Sequence, residues 1–203
     1  MSASQTARSL AVICLTVLGA EGRAAETPPP FRVASGDVRV VCPLTVGGSF
    51  EARATSFSGT VALATPRPAA FAGDLAVDLR KLDTGIELRN QHMRDNYLQV
   101  GKGAEYDTAV LSDIRLGDVD AATFQGRTPF TGTLLLHAAR RPVAGDAEIR
   151  REGSDVRVAA SFPVRLDEFG IPPPRYLGVG VKNEVQVKTS FVATPAPPAA
   201  GAQ

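Results

Sequence analysis

Side chains that could do chemistry are few in this chain and can be taken in turn. Arg89, His92 and Arg94 share one short stretch. A guanidinium binds a phosphate bidentately, so this stretch could hold an anionic group. On a solvated helix face the same residues would only sit among Glu87–Gln91 and Asn90–Arg94 neighbours. Arg94 fits the solvated face, and Arg89 and His92 stay open between the two readings. His137 ends an apolar strand pattern and reads as a structural histidine rather than a base. Cys42 follows Val40 and Val41, with no His near it in sequence, which suits a buried thiol and not a nucleophile.

Motifs that announce a reaction are missing. There is no G-x-S-x-G, no H-E-x-x-H, no P-loop and no C-x-x-C. Two His and two Cys argue against a zinc or haem site built by the protein. The 22 Lys+Arg balance 21 Asp+Glu, for a net charge of +1. A nucleic-acid partner would need a basic face, so none is expected. The expectation is therefore a protein that is not an enzyme and has no metal or covalent cofactor.

The elements that must position these residues have a period of two. Val156, Val158, Ala160, Phe162, Val164 and Leu166 alternate with residues such as Arg157, Ser161 and Arg165. Phe57–Leu63, Leu75–Leu79, Phe130–Leu136, Val143–Ile149 and Val185–Phe191 repeat the pattern, and residues 107–116 add a strand. One segment predicts a helix. Thr84 and Glu87 have capping-box spacing, Ile86, Asn90, Met93 and Tyr97 lie close to one face, and the helix should end near Gln99. The fold class is mainly β: an antiparallel barrel of eight strands with one short helix, favoured over a sandwich. Inward Gly59, Gly132, Gly145, Ala147 and Ala160 tilt the barrel toward a ligand cavity over a filled interior.

The chain ends read differently. Arg8, the apolar run Leu10–Ala20 and the small residues after it predict a signal peptide over residues 1–25, hence a periplasmic or secreted protein. Removing residues 1–24 leaves 20 basic and 20 acidic residues, a net charge of zero, and Cys42 as the sole cysteine. A Pro-rich lead covers 26–30, the ordered domain 31–193, and a Pro/Ala-rich disordered tail 194–203.

Four motifs in order carry a family resemblance. Asp83-Thr84-Gly85 through Arg89-Asn90 to His92-Met93 and Leu98 is the longest. The others are Gly48-Ser49-Phe50 with Phe57-Ser58-Gly59, then Gly132-Thr133-Leu134 with His137 and Pro142-Val143, and Phe169-Gly170-Ile171 with Val181, Asn183 and Val185. Together they resemble the YceI-like, polyisoprenoid-binding, lipocalin-like family across 31–193. Asn90 stands where an Asp is common, and Ala138 replaces a Gly. The resemblance implies a lipocalin-like barrel with a long apolar pocket. It implies an exported carrier holding an isoprenoid lipid or quinone, with transient membrane or membrane-protein contact. Oligomeric state stays open, a homodimer included.

A pocket of that kind would be lined by inward Phe57, Leu75, Val77, Phe130, Leu134, Leu136, Phe162 and Val164. Met93 would add a conformable surface, with Arg89 and His92 at the head group. Two alternatives remain: a structural barrel with a filled core, and a small periplasmic enzyme using His92 or His137.

Overall fold

The computed structural model describes residues 28–176 and 178–196. The signal peptide expected over 1–25 and the tail beyond 196 lie outside the described residues.

Alternation builds the barrel wall. Along Gly126–Leu136, Thr128, Phe130, Gly132, Leu134 and Leu136 are buried, while Arg127, Pro129 and Thr131 are exposed. Such a strand is stable only with one face against a core, and each large side chain buried there contributes about 1.5–3 kcal/mol.

Among the described residues twelve strands follow in chain order: β1 (Phe31–Val33), β2 (Gly36–Pro43), β3 (Ser49–Ala54), β4 (Phe57–Pro66), β5 (Ala69–Asp78), β6 (Thr108–Leu116), β7 (Gly126–Leu136), β8 (Ala139–Glu152), β9 (Asp155–Arg165), β10 (Arg175–Tyr176), β11 (Val179–Gly180) and β12 (Glu184–Pro195). An antiparallel ring β1-β4-β5-β6-β7-β8-β9-β12 closes where β12 pairs with β1. β12 runs through Thr194 and Pro195, and the Ala196 N–H donates to the Pro30 carbonyl (2.7 Å). The expected eight-stranded barrel is thus the observed one.

The hairpin β2–β3 extends this ring at one end. Val38 faces Ala54, and seven residues along each strand Phe31 faces Val61, so the register is unchanged across the breaks. β1–β2 and β3–β4 are therefore two interrupted barrel staves. β4 begins opposite the end of β5, with Phe57 facing Val77, so β3 lacks a ladder on its outer edge. There its backbone pairs with Asp83: the Arg53 N–H donates to the Asp83 carbonyl (2.8 Å) and the Asp83 N–H to the Arg53 carbonyl (2.9 Å).

The β5–β6 connection fills the remaining side of this end. It contains a 3-10 turn Leu79–Lys81, a helix α1 (Glu87–His92) that continues with π-type bonding over Met93–Leu98, and a one-turn α2 (Ala104–Asp107). Gln99 takes the left-handed conformation at the helix end, where a stop was expected.

The start differs from the capping box. Ile86 is at the N-cap and makes no side-chain cap bond. Thr84 instead donates its N–H and its hydroxyl to Asn90 Oδ1, both at 2.8 Å. Asn90 Nδ2 donates to Asp83 Oδ1 (2.7 Å), which also accepts the Gly85 N–H (2.8 Å). Asn90 is only 3% exposed, so a buried side chain, not a cap, fixes the turn before α1.

Candidate functional site

The barrel is filled at one end and hollow at the other. A cavity of about 770 Å³ occupies the end beside β3 and the helix. Two pairs of aromatic rings make its floor. Phe162 meets Phe130 edge-on at 5.7 Å, and Phe57 meets Phe191 at 5.0 Å. In each pair one ring, Phe162 or Phe57, faces the cavity, and its partner lies behind.

Each pair reaches across a glycine. A Cβ on Gly145 would lie 2.6 Å from Phe162 Cβ and 2.2 Å from the Ser161 carbonyl oxygen. A Cβ on Gly36 would lie 2.7 Å from Phe57 Cδ1. The rings meet only because no side chain stands between them.

The walls are apolar. Leu75 and Val77 on β5, Leu134 and Leu136 on β7, and Val164 on β9 point inward beside Phe57 and Phe162. Met93, Tyr97 and Leu98 close the side from the helix. Ten of the eleven residues expected at the pocket line the cavity. Phe130 does not: it is buried, but behind Phe162, in the filled half. None of Gly59, Gly132, Gly145, Ala147 and Ala160 lines it either. At Gly145 the absent side chain serves the packing of Phe162 rather than the void.

The mouth is framed by α1, the turn between β2 and β3, and the β10–β11 ribbon. The Arg175 N–H donates to Tyr97 Oη (3.3 Å), tying ribbon to helix. The Thr45 N–H donates to the Gly180 carbonyl (2.8 Å), and the Gly180 N–H to Thr45 Oγ1 (3.0 Å), tying ribbon to turn. Arg89 crosses to β3 and lies over the Phe50 ring, 4.3 Å from its centroid. The ribbon with Arg175 was missed in the sequence because it lies outside any periodic run, and Tyr97, placed on the helix face with Met93, was not read as a pocket residue.

Arg89, His92 and Arg175 bring positive or protonatable groups to the lining, and no Asp or Glu lines it among the described residues. Arg94 is not the solvated residue expected. Its Nη2 donates to the Leu82 carbonyl (3.2 Å), and its Nε is buried without a hydrogen-bond partner. Cys42 is half-buried and turned to the cavity. Burial pushes its thiol up to about 11, against the opposing pull of Arg89. Asp83 is held below the usual carboxylate range by the Asn90 side chain and then by the Gly85 N–H.

His137, expected to be structural, has one ring nitrogen bonded and the other, Nε2, buried without a hydrogen-bond partner. Its Nδ1 lies 3.0 Å from the Phe169 carbonyl oxygen, and Tyr106 stands edge-on to its ring at 4.9 Å. No group of three or more His, Cys, Asp or Glu could hold a metal ion among the described residues. No helix among them is long and apolar enough to cross a membrane.

Solved structures share this architecture. BcnA of Burkholderia cenocepacia superposes with a TM-score of 0.62 at 19% identity, covering 78% of this chain and 96% of its own. A polyisoprenoid binding domain from Saccharophagus degradans, implicated in plant cell wall breakdown, gives 0.61 at 16% identity, with 83% and 99% covered. The Campylobacter jejuni YceI protein gives 0.51 at 14% identity, with 70% and 82% covered. At these identities the likeness is one of fold. No curated protein matches the chain in sequence. The YceI-like domain model matches residues 33–193, nearly the whole barrel, and the chain belongs to the YceI-like domain family.

Proposed function

We propose that this protein binds an apolar, isoprenoid-type lipid or quinone in the barrel lumen and carries it outside the cytoplasm after export. One observation carries the reading: a lumen of about 770 Å³ walled mainly by aliphatic and aromatic side chains, with Arg89 and Arg175 as the charged residues of its lining. Ligand pockets span roughly 300–1,000 Å³, so this one holds a substantial chain. Burying an apolar chain yields about 0.8 kcal/mol per CH₂-sized group, so a few isoprene units bind without charged contacts. The polyisoprenoid binding domain of similar fold supports the ligand class. Arg89 and His92 are the head-group candidates, the first held in place over Phe50.

Native mass spectrometry of protein purified from membrane-containing lysate tests this. A bound mass, released as a prenyl lipid by organic extraction, is expected. A ligand-free mass together with no uptake of prenyl quinones from detergent would sink the reading.

A further inference from the structure

Four large apolar side chains are exposed among the described residues: Val46, Ile86, Leu88 and Val179. They come from three segments far apart in sequence, yet all lie around the cavity mouth. Ile86, Leu88 and Val179 line it. Val46 stands 68% exposed on the β2–β3 turn, beside Thr45, which is bonded to Gly180 next to Val179. Elsewhere on the barrel the outward positions are largely charged or small, as on β8 with Arg141, Asp146 and Arg150.

We propose that this rim docks on the surface of a phospholipid bilayer with anionic head groups, so that the lumen opens onto the membrane. The inference rests on the carrier reading above. Apolar side chains beside cations are what an interfacial membrane site requires: the first enter the acyl boundary, the second meet phosphates. Arg89 and Arg175 supply the cations at the mouth, against Glu87 on the same rim. A second copy docked mouth to mouth would set these arginines against their own like charges, whereas a phosphate surface complements them. Docking also removes the water gap that an insoluble chain would otherwise cross.

Vesicle flotation tests the proposal, with phosphatidylcholine vesicles and with vesicles that also contain phosphatidylglycerol. The purified protein should float with the anionic vesicles and be released by salt. Val46→Asp lies outside the cavity lining and should lower the floated fraction about fivefold. Its uptake of a prenyl quinone from detergent micelles should be unchanged, which also shows that the variant is folded. Wild-type protein that stays unbound, or Val46→Asp that floats equally, overturns the docking. So does a dimer in sedimentation that Val46→Asp dissolves while neither form floats, which would assign the rim to a second copy. Protein that floats through Val46 but takes up no quinone keeps the docking site and removes the carrier reading.

Discussion

The Phe162 ring meets the Phe130 ring edge-on, with centroids 5.7 Å apart and planes at 88°, over the glycine of the strand between them. Phe130 is on β7 and faces Gly145 on β8, and Phe162 is on β9. This contact separates the hollow half of the barrel from the filled half. It therefore decides how deep a ligand can sit, although only one of the two rings touches the lumen.

Removing the hidden ring should deepen the lumen. Phe130→Ala leaves a void behind Phe162 and costs about 3–5 kcal/mol, the range for aromatic deletion in a core. Urea unfolding at neutral pH measures the loss. Extraction of bound lipid should show a shift toward longer chains if the protein still folds, and an unchanged chain-length distribution would mean that the floor does not limit the ligand.

The glycine beneath the rings should be more sensitive than a glycine needed only for its backbone angle. Gly145→Ala drives a methyl into the Ser161 carbonyl and Phe162 and should cost about 3 kcal/mol. Gly153 has φ +65° with nothing near its Cβ position, so Gly153→Ala should cost about 1 kcal/mol. Equal losses in urea unfolding would remove the close-approach argument.

Asn90 links the turn before α1 to stability in acid. Asn90→Leu strands the Thr84 N–H and hydroxyl and should cost about 2 kcal/mol at pH 7. Asp83 has a folded pKa lower than its unfolded one. Its stabilising contribution is full above the unfolded value of about 3.9 and is lost as pH falls through the depressed folded value. Asn90→Leu removes the largest cause of that depression, so its stability should fall less than the wild type's between about pH 4 and pH 2. Urea midpoints at pH 7, 4 and 2 check this. Parallel curves for the two proteins would refute it.

Cys42 should report on the lumen. With its thiol pushed up to about 11, little thiolate is present at pH 8, and alkylation should be slower than in the unfolded chain. Bound lipid should slow it further, because the thiol lines the cavity. Labelling rates with iodoacetamide, before and after lipid extraction, measure both effects. Equal rates in all states would place the thiol outside the binding space.

The strands were legible because one face of each is wet and the other dry, as Arg127 and Phe130 on β7 illustrate. Period alone gives the face of a residue, not its height in the barrel. Phe130 and Leu134 thus looked equivalent, yet only Leu134 reaches the lumen. The small inward residues were misread for a related reason. A glycine in sequence looks like vacant space, but Gly145 is occupied from the next strand by Phe162. The capping pattern at Thr84 gave way to a different local network, since the Asn90 amide brings acceptor and donor together six residues on. Arg94 shows the limit of helix-face reasoning, because its neighbour Leu82 belongs to the turn before the helix.

The break between β3 and β4 makes the tube mechanically uneven around its circumference. On the β7–β8–β9 side, widening would require whole ladders to part. Beside β3, the strand edge is held to its neighbour by the reciprocal pair of Arg53 and Asp83. A change in girth to fit a bulkier guest is therefore cheapest along that seam. It would displace the turn carrying Asp83, together with the α1 residue Asn90 bonded to it, while leaving the aromatic floor where it stands.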